Sequence, residues 1–115
     1  MIPAKILTDV IVTALEGGSN HFITTIEYPK NHNPKKFNAP AYADPDFYTD
    51  DFELTVHIDD DVPAVLLSME AIEAGWPLFA AQYPTRAAAI LDETYDADDA
   101  DLAIQFFLFG EYIYG

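Results

Sequence analysis

The carboxylates of this chain are gathered, and where they gather limits what can fold. Asp44, Asp46, Asp50 and Asp51 form one burst. Asp59, Asp60 and Asp61 form a second, and Asp92, Glu93, Asp96, Asp98, Asp99 and Asp101 a third. The bursts sit between apolar segments and not inside them. They therefore mark loops and helix starts, and the segments between them mark the elements that bury surface. Residues 1–43 carry Asp9, Glu16 and Glu27 against Lys5, Lys30, Lys35 and Lys36, a net of +1. Residues 44–115 carry the other 17 acids against Arg86 alone, a net of −16.

The remaining composition says that this charge decorates a folded core. Half of the 115 residues are apolar and 14% are aromatic, too much for a disordered acidic tail. The length suits one domain. A domain of this size keeps roughly 6,300 Å² of surface, so 20 acids spread evenly give one per ~310 Å². That density repels itself and favours solubility over stability. It also argues against direct binding to nucleic acid or to an anionic membrane, since both attract cations. With no cysteine there is neither a disulfide scaffold nor a thiolate zinc site. Met1–Lys5 lacks the basic and long apolar stretches of a secretory signal. No apolar segment approaches the ~18 residues of a membrane helix, and the longest, within Leu102–Phe109, is interrupted by Gln105. A soluble, intracellular protein is the expectation.

Periodicity predicts a helix over Ile6–Glu16, with Gly17-Gly18 ending it in the left-handed cap conformation. His21–Tyr28, rich in β-branched and aromatic residues, predicts a strand ending at Pro29. Residues 29–51 hold four prolines and form a long irregular segment, with room for a short strand near Phe37 or Tyr42. Phe52–Ile58 alternates apolar and polar residues and predicts a strand, with Asp59–Asp61 as a turn and Val62–Leu67 as its hairpin partner. Pro63 belongs at the edge or start of that partner. Ser68 reads as an N-cap, with Glu70 in the first turn of a helix running to Gly75 or Gln82, and Pro77 kinking or splitting it. A short helix follows over Pro84–Glu93. A last helix is capped by Asp98 or Asp99 and stopped by Gly110, leaving Glu111–Gly115 as a terminal strand or docked tail. The order predicts an α+β fold, a small antiparallel sheet of two to four strands packed with an N-terminal helix and two or three C-terminal helices.

Acid clusters invite a metal, but a calcium loop starting at Asp96 places Ala100, Asp101 and Phe107 at its fifth, sixth and twelfth positions. One starting at Asp44 places Tyr48 and Thr55 at its fifth and twelfth. Both lack the sharp turn and the closing bidentate ligand. His57 with Asp59 and Asp61 is the remaining combination, set against an exposed strand histidine followed by a solvated turn. Ser19 and Ser68 lie in no nucleophile elbow, and His21, His32 and His57 are scattered. Gly17-Gly18-Ser19-Asn20 lacks the lysine and following helix of a phosphate loop. Lys30, Lys35 and Lys36 near Tyr28 and Phe37 make a small basic-aromatic patch, which pairs with the acidic bursts or solvates its loop. No catalytic residue, cofactor or metal ligand is expected.

Thr13-Ala14-Leu15-Glu16-Gly17-Gly18-Ser19-Asn20 resembles the opening of a group of small acidic uncharacterised proteins encoded by tailed bacteriophages. In that group an aromatic pair follows the glycines, where this chain has His21-Phe22. Ser68–Gly75 is similar to the group's middle helix. Asp98-Asp99-Ala100-Asp101-Leu102 and Leu108–Gly115 are similar to its closing helix and tail. The likeness covers about a third of the chain and leaves out residues 29–63. It implies a phage or prophage origin and a bacterial cytoplasm, and it transfers no catalytic residue.

Rows of carboxylates also present the sign of potential that a nucleic-acid-binding groove is built to receive. The expectation is a non-enzymatic accessory protein, monomer or homodimer, that inhibits a host nucleic-acid-binding or defence protein. It would meet that protein's basic groove with the thirteen acids of the three bursts. The alternatives are a small metal- or ligand-binding protein or enzyme with a site near His57, and a virion structural or assembly protein.

Overall fold

Residues 2–115 are described by a computed structural model. Its helix α1 runs from Ala4 to Thr13 and buries Leu7, Thr8, Val10 and Ile11. The chain then widens into a single π turn over Ala14–Gly18, closed by Ser19 N donating to Ala14 O at 2.8 Å. The glycine pair does end the helix, but neither glycine takes the expected left-handed conformation. Space explains Gly18 instead: a Cβ there would lie 2.7 Å from the carbonyl oxygen of Ala97, so the turn abuts the start of the last helix.

Three antiparallel strands follow, β1 (Thr25–Glu27), β2 (Glu53–His57) and β3 (Val65–Ser68), in spatial order β1-β2-β3. Ile26 pairs with Val56, and Leu54 with Leu67. The alternation in β2 holds: Leu54 and Val56 are fully buried while Glu53 is exposed. The strand expected over His21–Tyr28 keeps only three residues, because His21 and Phe22 belong to a turn. Pro63 falls before β3 rather than within it.

The long segment between β1 and β2 contains no strand. It is built from three short 3-10 turns, Pro34–Lys36, Ala41–Ala43 and Pro45–Phe47, with a cis Ala39–Pro40 bond. Its aromatic rings order it. Tyr28 stacks on His32 at 4.3 Å between centroids, and Phe47 meets Tyr28, Phe37 and Phe52 edge-on or tilted.

Ser68 caps helix α2 (Met69–Gln82) by accepting from Ala71 N at 3.2 Å. Pro77 lies inside α2 without ending it. Helices α3 (Pro84–Leu91) and α4 (Ala97–Phe109) complete the fold. Gly75 lets α2 approach α4: a Cβ there would sit 2.3 Å from Phe106 O. Gly110, expected to stop the last helix, closes α4 at φ +74° in a left-handed cap. The architecture is therefore α+β, with one core shared by the sheet, α1 and the C-terminal helices. No helix among the described residues is long and apolar enough to cross a membrane.

Candidate acidic interface

The three bursts share a composition but not an environment. Of the thirteen acids, Asp44, Asp99 and Asp101 are buried, between 7% and 8% exposed. The other ten are exposed. Folding sorts them by the donors within reach.

In the first burst, Asp44 caps the Pro45–Phe47 turn. Its Oδ1 accepts from Asp46 N at 3.0 Å and its Oδ2 from Asn38 N at 2.9 Å. Two charge-assisted bonds to backbone compensate its burial. Asp50 and Asp51 stay exposed and share a shallow cleft with Glu53, Leu66 and Glu70. The Tyr48 hydroxyl, buried nearby, donates to the Tyr42 carbonyl. Burial pushes its pKa far above the ordinary tyrosine value, with smaller upward pushes from Tyr28 and Tyr42. The pKa of Tyr42 is also raised, first by burial and then by Glu16, whose carboxylate accepts its hydroxyl at 2.9 Å.

In the second burst Asp59 Oδ1 accepts from Asp61 N at 3.3 Å, and all three carboxylates point to solvent. Asp59 and Asp60 line a cleft of about 260 Å³ with His21, Phe22, Thr24, Ile58 and Tyr114.

Half of the third burst is structural. Asp96, rather than Asp98 or Asp99, is the N-cap of α4, and Asp99 closes a capping box with it. Asp99 N donates to Asp96 Oδ1 at 2.9 Å, and Asp96 N to Asp99 Oδ2 at 3.1 Å. An acid at both positions also faces the positive end of the helix dipole. Asp99 Oδ1 further receives Arg86 at 2.7 Å, the only Lys or Arg ion pair among the described residues. Asp101, two residues on, accepts from Ser19 Oγ at 2.7 Å and Gln105 Nε2 at 3.2 Å, while His21 Nε2 lies 3.4 Å from its other oxygen. Asp92, Glu93 and Asp98 remain exposed. Asp98 and Asp101 line a cleft of about 440 Å³ with His21, Tyr83, Arg86 and Tyr112.

His21 thus lines both of these clefts, and the C-terminal tail adjoins them through Tyr112 and Tyr114. The tail is docked, not a strand. Fully buried Gln105 accepts from the backbone of Ile113 and Tyr114 and donates to Tyr114 O, at 2.8–2.9 Å. The Tyr114 ring stacks on Phe22 at 4.9 Å. Neither His21 nor Gln105 is conspicuous in the sequence as a site residue. The one signal was a polar residue breaking an apolar run, which in a buried helix demands partners.

The lysines do not offset the acids. Lys35 and Lys36 extend from their loop, Lys36 lying 5.9 Å over the Phe37 ring, and neither pairs with a carboxylate. Tyr28 is stacked within its own segment, so the basic-aromatic patch does not present it as an open stacking platform. His57 Nε2 pairs across the sheet with Glu27 at 3.0 Å, both side chains exposed. Among the described residues no three His, Cys, Asp or Glu side chains are placed to hold a metal ion. Compared with protein-family models, curated proteins and solved structures, the chain matches none.

Proposed function

We propose that the protein is a non-catalytic binder whose acidic surface occupies the basic, nucleic-acid-binding groove of another protein and so blocks it. One observation carries this reading: among the described residues, no exposed carboxylate lies within ion-pair distance of a lysine or arginine. The field of the exposed Asp and Glu side chains is therefore not cancelled locally, and it reaches across a Debye length of about 8 Å at physiological salt. Such a surface speeds encounter with a basic groove and makes the association strongly salt-dependent. The resemblance to small phage proteins would make the partner a bacterial nuclease or defence complex, met in the host cytoplasm.

The test is capture of partners from bacterial lysate on immobilised protein, at low and at high salt. A nucleic-acid-binding protein retained at low salt, released at high salt and displaced by duplex DNA supports the reading. A partner that binds equally at both salts and alongside DNA overturns it. With the partner in hand, the Asp59→Lys/Asp60→Lys/Asp61→Lys variant should bind more weakly and with a flatter salt dependence. Unchanged affinity removes the second burst from the contact.

A further inference from the structure

The cleft beside the second burst differs from the other acidic surfaces in having an apolar interior. Phe22 and Ile58, 6% and 2% exposed, form its floor. Half-buried Tyr114, its ring parallel to Phe22 within 3°, forms a wall. Exposed Asp59 and Asp60 form the rim. Asp59 uses one oxygen on the Asp61 backbone, and no hydrogen bond engages Asp60 or the other Asp59 oxygen among the described residues. No lysine or arginine of the chain lines this cleft. His21, which also lines the cleft, has its Nε2 within 3.3 Å of the Tyr114 carbonyl and 3.4 Å of Asp101.

An aliphatic stem would lie along the exposed margins of Phe22 and Ile58, a flat cationic head would lie against the part of the Tyr114 ring that Phe22 leaves open, and two carboxylates would accept its N–H donors. That combination describes a guanidinium group better than an ammonium, which has no planar face to stack and no fork of donors. We propose that this cleft is a receptor for an arginine side chain of a basic protein partner. The proposal rests on the acidic-surface reading for the class of partner, and it adds a specific anchor to a contact otherwise made of diffuse charge.

The experiment follows backbone amide shifts of the whole protein during titration with capped arginine, lysine and citrulline peptides, together with polyarginine at low salt. The capped arginine peptide should give saturable shifts centred on Phe22, Ile58 and Tyr114, and bind more tightly than lysine; citrulline, which is neutral, should give none. Asp59→Asn/Asp60→Asn should weaken the arginine peptide by roughly tenfold, the worth of one charge-assisted contact. Asp50→Asn/Asp51→Asn removes the same charge elsewhere and should leave it within about twofold. Equal losses in both variants, equal binding of lysine or citrulline, or shifts that do not saturate each overturn the arginine receptor. Polyarginine separates the two claims. If wild type and Asp59→Asn/Asp60→Asn bind it equally, the cleft is lost and the acidic surface stands. If wild type does not bind it at all, the acidic-surface reading falls as well.

Discussion

The second and third bursts read alike as sequence and behave oppositely as structure. Asp59–Asp61 form a solvated turn whose only hydrogen bond within the burst is local. Asp96, Asp99 and Asp101 cap a helix, hold an arginine and receive a buried serine and glutamine. The difference lies in what the neighbouring chain supplies. The α4 N-terminus offers backbone N–H groups, and the π turn brings Ser19 to Asp101 from 82 residues away. The β2–β3 turn offers neither. Acid density alone therefore does not say whether a carboxylate faces a partner or the fold itself.

That contrast can be broken by mutation. Asp101→Ala should be the most damaging change, because it leaves Ser19 Oγ without its partner inside the protein and weakens Gln105's hold on the tail. A loss of about 3 kcal/mol is expected, measured by urea denaturation, and a loss below ~1 kcal/mol would mean that Asp101 is solvated after all. Asp99→Ala removes both the Arg86 pair and the return half of the capping box and should cost about 2 kcal/mol. Asp96→Ala, which removes a single cap, should cost about 1 kcal/mol.

Tyr48→Phe probes the first burst, which mixes both behaviours. At neutral pH it should cost about 1 kcal/mol, the net worth of one hydrogen bond. The sign of its pH dependence follows from the raised pKa of Tyr48 in the fold. The buried neutral hydroxyl stabilises fully below the unfolded tyrosine value of about 10 and progressively less as pH rises above it. Wild type should thus lose stability in alkaline melts, and Tyr48→Phe should flatten that slope. An unchanged slope would mean that another group sets it. The smallest effect is reserved for Asp59→Asn/Asp60→Asn/Asp61→Asn, within about 0.5 kcal/mol of wild type or slightly stabilising through relieved repulsion. A loss as large as that of Asp101→Ala would erase the distinction between the bursts.

The elements that rest on short-range patterns were legible. Alternation located β2, Ser68 announced its helix, and Gly110 ended the last one. The misreadings came where a local rule met a tertiary demand. Gly17-Gly18 looks like a left-handed cap, yet Gly18 is small because Ala97 lies against it. Asp98 and Asp99 looked like caps, yet Asp96 was the residue with extended backbone at the helix start. The Pro-rich segment offered no periodicity, since its order comes from rings packed face to edge.

By itself the sequence determined the α+β order of elements and the placing of charge between them, because hydrophobic period and capping chemistry act over a few residues. Only the tertiary structure decided which carboxylates are surface and which are scaffold. That choice depends on donors from other segments, Ser19 and Arg86 for the third burst, on the folding of the Pro-rich segment that brings Asn38 N to Asp44, and on the docked tail that puts Tyr114 beside Phe22. Those contacts exist only once the chain has closed on itself.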